Sequence, residues 1–234
     1  MNEVMRAPMD PTNPVRFSVL RVPFFLEPAY AREEDWGETN RVRLERKWGG
    51  KAAFAAQKHR HRLKERGQEV GIERFNLDRV ASNTLASHRL VQWITKTHGC
   101  AVAEALYNDL NHRHFVEGRR LNDREMLCDA AAAAGADREL CAAFLASEEG
   151  YAEIEDTQDM LSRMGIHSIP NFVVGGNAVV SGAVAATELV DIFRTIEKKG
   201  KGAPGSAFAD TLRIPKDMRA VHLPPPEDAP RQEL

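Results

Sequence analysis

The sequence predicts an α/β protein in which one extended segment near the start and a β-hairpin near the end bracket a long helical stretch. Three observations carry this reading. Val15 to Phe25, VRFSVLRVPFF, is rich in Val and Phe and apolar at both parities, as expected of a parallel strand covered on both faces. Residues 166–182, IHSIPNFVVGGNAVVSG, read as a strand, a Gly175-Gly176 turn and a second strand, the pattern of a tight hairpin. Everything between them carries helical spacing and helix punctuation.

Taken in order, Leu44 to Trp48 closes a helical stretch that Gly49 and Gly50 break, and KAAFAAQKHRHRLKERG reads as a helix ending near Gly67 with basic residues in its last turn, where they suit the helix dipole. The two form a helical hairpin. Asn83 is placed to cap a helix whose Leu85, Leu90, Val91 and Ile94 keep helical spacing up to Gly99, and another helix runs from about Val102 to Phe115. Asn122 with Glu125 three positions on fits the amide analogue of a capping box, and Gly135 suits the left-handed residue that ends that helix. Asp137 and Ser147 read as two further N-caps, the helix after Ser147 stopping at Gly165. After the hairpin, TELVDIFRTIEKK is helical, and residues 200–234, ending LPPPEDAPRQEL, turn to Gly, Pro and charge without a period, the composition of a disordered tail.

Composition narrows the function classes. The chain has 234 residues, 32 Lys and Arg against 34 Asp and Glu, and a net charge of -2, which argues against the broad phosphate-seeking surface of a nucleic-acid binder. No apolar run reaches membrane-spanning length, so no membrane partner is expected. The three cysteines, Cys100, Cys128 and Cys141, form no Cys-x-x-Cys pair and are too few for a disulfide scaffold. The residues MNEVMRAPMDPTNP contain no secretory apolar core, so a cytoplasmic location is the expectation. The terminal RQEL resembles a retrieval signal and would point to the endoplasmic reticulum on a longer, secretory product.

His112 and His114, like His59 and His61, are spaced two apart and point to different sides of a helix, unlike an i,i+4 chelating pair. No metal site is expected. Cys128 and Cys141 flank the turn at Gly135 and read as small buried hydrophobes rather than a redox pair. The basic run KHRHRLKER reads as a solvated helix face.

The resemblance to a known family rests on several segments. ERFNLDRVASNTLASHRLVQWI with Asn83-Thr84 and His88-Arg89, FVEGRRLND, FLASEEG, and GIHSIPNFVV followed by VVSGA are similar to the FrnE group of DsbA-like proteins, over about residues 15–198. The resemblance implies a thioredoxin-like fold with an inserted all-helical domain. It places residues 1–34 and 161–199 in the thioredoxin-like domain, 35–160 in the insertion and 200–234 in the tail. The family's first strand and its Cys-x-x-Cys loop have no counterpart here, so no catalytic residue is assigned and MNEVMR is expected to be the last turns of the first helix. What the resemblance leaves is the substrate-facing proline loop, Ser168, Ile169 and Pro170, with Ile169-Pro170 as the cis dipeptide. His88 and Arg89 are expected to satisfy polar groups between the inserted helices.

The implied activity is protein thiol-disulfide oxidoreduction, with this 234-residue sequence inactive for want of a dithiol. The expected partner is a polypeptide or a small thiol or disulfide substrate, a homodimer also being allowed, and no cofactor is expected. The same order of elements occurs in kappa-class glutathione transferases and hydroxychromene-carboxylate isomerases. A glutathione-dependent transferase or isomerase, with glutathione as its cofactor, is therefore the alternative, together with a non-catalytic peptide-binding remnant.

Overall fold

The computed structural model describes all residues except 16, 70, 73, 176–177, 201–206 and 220–234. The second glycine of the expected hairpin turn and the RQEL terminus lie outside the described residues. The chain divides into two compact units. Of the described residues, one contains Met1–Leu26, Gln92–Ala103 and those of 149–219, and the other contains Glu27–Val91 and Glu104–Glu148. The helical unit therefore has different limits from the expected 35–160: it starts earlier, ends before Gly150 and excludes Gln92–Ala103.

In the first unit, helix α1 (Asn2–Arg6) buries Val4 and Met5. The segment from Val15 to Phe25 is not the expected parallel strand: among its described residues only an isolated bridge at Phe17 is present. Pro23 supplies one reason, since it has no N–H to donate to a ladder. Side-chain amides take over part of the pairing, Gln92 Nε2 donating to the Arg21 carbonyl at 2.7 Å and Gln158 Nε2 to the Pro23 carbonyl at 2.9 Å. The period-two face survives, because Leu20, Val22 and Phe24 pack on the core made by Leu161, Ile166 and Phe208.

Five short elements open the helical unit. Strand β1 (Glu38–Thr39) pairs antiparallel with β2 (Val80–Ala81), and between them lie α2 (Asn40–Lys47), α3 (Lys51–His61) and α4 (Leu63–Glu69). Thr39 caps α2 through the Val42 N–H, and Gly49 and Gly50 at φ 81 and 113 make the break that the sequence predicts. The single helix expected up to Gly67 is two, because Arg62 stands at φ 45, a left-handed backbone that no helix interior accommodates.

Helix α5 (Leu85–His112) is interrupted at Gly99, whose φ 83 and ψ 170 are not helical, so the two helices expected on either side of it are present. The cap position is Thr84, which makes no side-chain cap bond, rather than the expected Asn83; from one residue earlier, Asn83 Oδ1 accepts from the Leu85 N–H at 2.9 Å. Helix α6 (Arg124–Ala133) is capped by Asp123, not Asn122: Asp123 Oδ1 accepts from the Met126 N–H at 3.1 Å. Buried Asn122 instead donates to the Glu33 and Trp36 carbonyls at 2.8 and 2.9 Å, which leaves the cap to the neighbouring Asp123 carboxylate. Helix α7 (Arg138–Ala146) is capped by Asp137 as expected. Ser147 ends α7 rather than starting the next helix, its hydroxyl donating to the Phe144 carbonyl at 2.7 Å.

Helix α8 (Tyr151–Arg163) starts after Gly150 and gives way at Gly165, φ 70. Strands β3 (Asn171–Val174) and β4 (Ala178–Ser181) pair antiparallel, Phe172 opposite Val180 and Val173 opposite Val179. Helix α9 (Ala186–Lys199) follows.

The disordered tail expected from residue 200 is corrected at residues 207–219. Helix α10 (Ala207–Thr211) lies there, and Phe208, Leu212 and Ile214 are buried at 2%, 0% and 2% exposure. Three apolar side chains within seven residues are enough to dock a short segment, whose neighbours Gly and Pro mask the pattern in sequence. Fold and resemblance agree on a thioredoxin-like architecture, mostly helical with a small sheet and carrying a helical insertion. Phe208→Ala should lower the unfolding free energy by about 3–5 kcal/mol in urea titrations, whereas a mobile tail would give no change.

Candidate functional site

The candidate site grows from the way α8 ends. Leu161 and Ile166 are anchored in the core, and the left-handed Gly165 turns the chain outward, so His167, Ser168, Ile169 and Pro170 are all exposed. The Ile169–Pro170 peptide bond is cis. The structure thus brings the three residues expected at the substrate-facing loop together at the entrance to β3.

This loop is braced on both sides of Ile169. The Asn171 side-chain amide donates to the Ser168 carbonyl, the Ser181 hydroxyl donates to Asn171 Oδ1 at 2.5 Å, and the Gly182 N–H donates to the Pro170 carbonyl at 2.9 Å. Ile169 itself is left open: among the described residues its backbone N–H and C=O have no partner, and the residue is 50% exposed. Backbone donors and acceptors seldom remain unpaired away from water. An exposed open pair beside a strand is therefore a place where another extended chain can add hydrogen bonds.

Apolar side chains flank the open backbone. Phe172 is 36% exposed and Val179 42% exposed. Their cross-strand partners are Val180 and Val173, so the two sit on opposite faces of the hairpin. Sequence reading did not single out either residue, since a strand apolar at both parities gives no sign of which face is covered.

The thiols offer no comparable reactivity. Cys100, Cys128 and Cys141 are all buried and form no disulfide with one another. Cys100 Sγ lies 3.5 Å from the Met218 carbonyl. Burial pushes the Cys128 thiol up, and pushes Cys141 up to about 11 with help from the neighbouring Cys128 and Asp137. A thiolate nucleophile needs the opposite, a site that stabilises the anion.

Other residues considered from the sequence have structural surroundings. Buried Arg89 donates through Nη2 to the Ser147 carbonyl at 2.7 Å and the Phe144 carbonyl at 3.3 Å, with its guanidinium 4.9 Å from the Phe144 ring centre, which is the helix-bracing role expected of it. The His114 ring faces the Arg119 carbonyl at 2.9 Å, and burial lowers its pKa. Among the described residues no group of three or more His, Cys, Asp and Glu side chains gathers to hold a metal ion.

Cys141 also makes stability pH-dependent. Its folded-state pKa lies above the ordinary thiol value, so the stabilisation is complete below the unfolded value and is lost as pH rises through the folded one. Urea titrations should show the unfolding free energy falling between about pH 9 and 11, and the fall should be shallower in Cys141→Ala. An unchanged slope in that variant would remove Cys141 as the cause.

Comparison with known proteins follows the same lines as the geometry. The crystal structure of a probable DsbA oxidoreductase from Streptomyces coelicolor is similar, with a TM-score of 0.64 and 26% sequence identity over 78% of this chain and 76% of that one. No curated protein matches the chain. The family model of the DSBA-like thioredoxin domain matches residues 17–194, about three-quarters of the chain, and this protein belongs to that family.

Proposed function

We propose that this chain serves the substrate-binding side of thiol-disulfide chemistry, as a member of the FrnE-type branch, and that the 234-residue sequence does not itself turn over dithiols. The observation that carries the proposal is the open backbone of Ile169. An extended polypeptide laid antiparallel to the Ser168–Pro170 segment would find one N–H and one C=O there, with Phe172 and Val179 beside it to receive alternate side chains. Ser168 and Pro170 shape the loop and Ile169 contributes both backbone and side-chain contact.

The reactive half of such chemistry needs a thiolate that attacks a substrate disulfide and a second thiol that resolves the mixed disulfide. None of the cysteines in this sequence suits the part: they are buried, they sit in no Cys-x-x-Cys pair, and burial favours the protonated form of Cys128 and Cys141. Membership of the DSBA-like thioredoxin-domain family, together with similarity to a probable DsbA oxidoreductase, supports polypeptide thiols and disulfides as the substrate class.

In an insulin-reduction assay with dithiothreitol, the purified 234-residue protein should leave the onset of turbidity at the uncatalysed time. Robust acceleration would show that one of the three cysteines is redox-competent and would overturn the proposal.

A further inference from the structure

Charges on the helical unit are arranged unevenly. Around its helices, arginines are matched with acids: Arg41 with Asp78 at 2.7 Å, Arg43 with Glu27 at 2.6 Å, Arg46 with Glu38 at 2.7 Å, Arg113 with Asp109 at 2.7 Å and Arg138 with Asp129 at 3.0 Å. The stretch from Lys47 to Arg66 departs from this. It holds seven Lys and Arg against the single acid Glu65, in a chain with 32 against 34, so all the remaining residues hold 25 against 33. Lys47, Lys51, Arg60, Arg62, Lys64 and Arg66 are all exposed, and among the described residues none of the six has a carboxylate within ion-pair distance.

Helix stability does not account for six unmatched cations. Basic residues near a helix C-terminus gain from the dipole only within the last turn, which covers Lys47 in α2, Arg60 in α3 and Arg66 in α4 and leaves Lys51, Arg62 and Lys64 unexplained. Apolar groups join the cations at one place. Trp48, 36% exposed at the end of α2, meets His61 at the end of α3 with ring centres 5.8 Å apart. Leu63, 47% exposed, follows directly after the left-handed break at Arg62. Trp48 and Leu63 thus stand among Lys47, Arg60, Arg62 and Lys64.

We propose that this face binds a short acidic segment of a partner protein that also carries apolar side chains. Charge complementarity selects the acid, and exposed Trp and Arg are the residue types that anchor protein interfaces. The chemistry favours a short polypeptide over a nucleic acid, because the rest of the chain has an excess of acids that would repel a long polyanion. It also disfavours a lipid surface: Ala52, Ala55 and Ala56 are the exposed apolar residues of α3, and they provide no bulky stripe to bury in a bilayer.

Fluorescence anisotropy with the full chain and a labelled peptide of about twelve residues, alternating Glu or Asp with Leu and Phe, tests this. Binding should weaken as salt rises from about 50 to 300 mM. The triple variant R60Q/R62Q/K64Q should lose roughly tenfold or more in affinity, and Trp48→Ala roughly fivefold, with thermal unfolding of both unchanged. A control peptide with Lys replacing the acids should not bind. Equal binding of the triple variant, binding of the Lys control, or tighter binding to duplex DNA or to phosphatidylserine vesicles than to the acidic peptide would each overturn the proposal.

Discussion

Backbone polar groups that have no ladder to join must be met by something else, and this requirement shapes the unit that holds the candidate site. Among the described residues β3 and β4 form a two-stranded sheet of their own. The Val15–Phe25 segment runs beside the core without a strand ladder, so Gln92 and Gln158 reach out to the Arg21 and Pro23 carbonyls. Each such bond is worth about 1 kcal/mol net, but leaving a buried carbonyl unmet would cost about 1–3 kcal/mol. The glutamines therefore keep the segment docked, and Leu20, Val22 and Phe24 gain from burial against Leu161, Ile166 and Phe208.

That docking in turn fixes where α8 ends and where the loop of Ser168 to Pro170 emerges. Ile166 is held in the core, Pro170 is held by Gly182 and Ser168 by Asn171. Ile169 stands between two fixed points with its own N–H and C=O open to solvent. Because water already satisfies them, the open pair costs the free protein little, and a bound chain exchanges water for peptide groups while covering the apolar surface of Phe172 and Val179. Recognition by backbone is tolerant of sequence, which suits a protein that meets unfolded polypeptides.

Much of this was legible from sequence where a single residue type enforces the geometry. Gly135 adopts the left-handed φ expected of it, and Gly99 and Gly165, expected to end helices, also stand at positive φ; Asp137 caps α7, and the hairpin appears at the expected residues. The misreadings arose where two neighbours competed or a tertiary contact decided. Asn122 and Asp123 could each cap α6, and the amide was drawn off to carbonyls some ninety residues away in sequence. Pro23, with no N–H to give, is one reason that the Val and Phe content of its segment makes no ladder. The helix at Ala207–Thr211 owes its place to Phe208, Leu212 and Ile214, whose burial no local pattern announced. At the site, the proline before a strand and the family resemblance marked Ser168 to Pro170, whereas the exposure of Phe172 and Val179 depends on how little of the hairpin the rest of the unit covers.

The central claim is that an extended polypeptide pairs with the backbone of Ile169. Hydrogen exchange followed residue by residue by NMR, in the presence of a saturating reduced and carboxymethylated polypeptide, tests it most directly. The exchange rate should drop at the Ile169 amide, with smaller changes at Phe172 and Val179 and none at the three cysteines. An Ile169 amide that exchanges as fast with the polypeptide bound as without it would rule that pairing out.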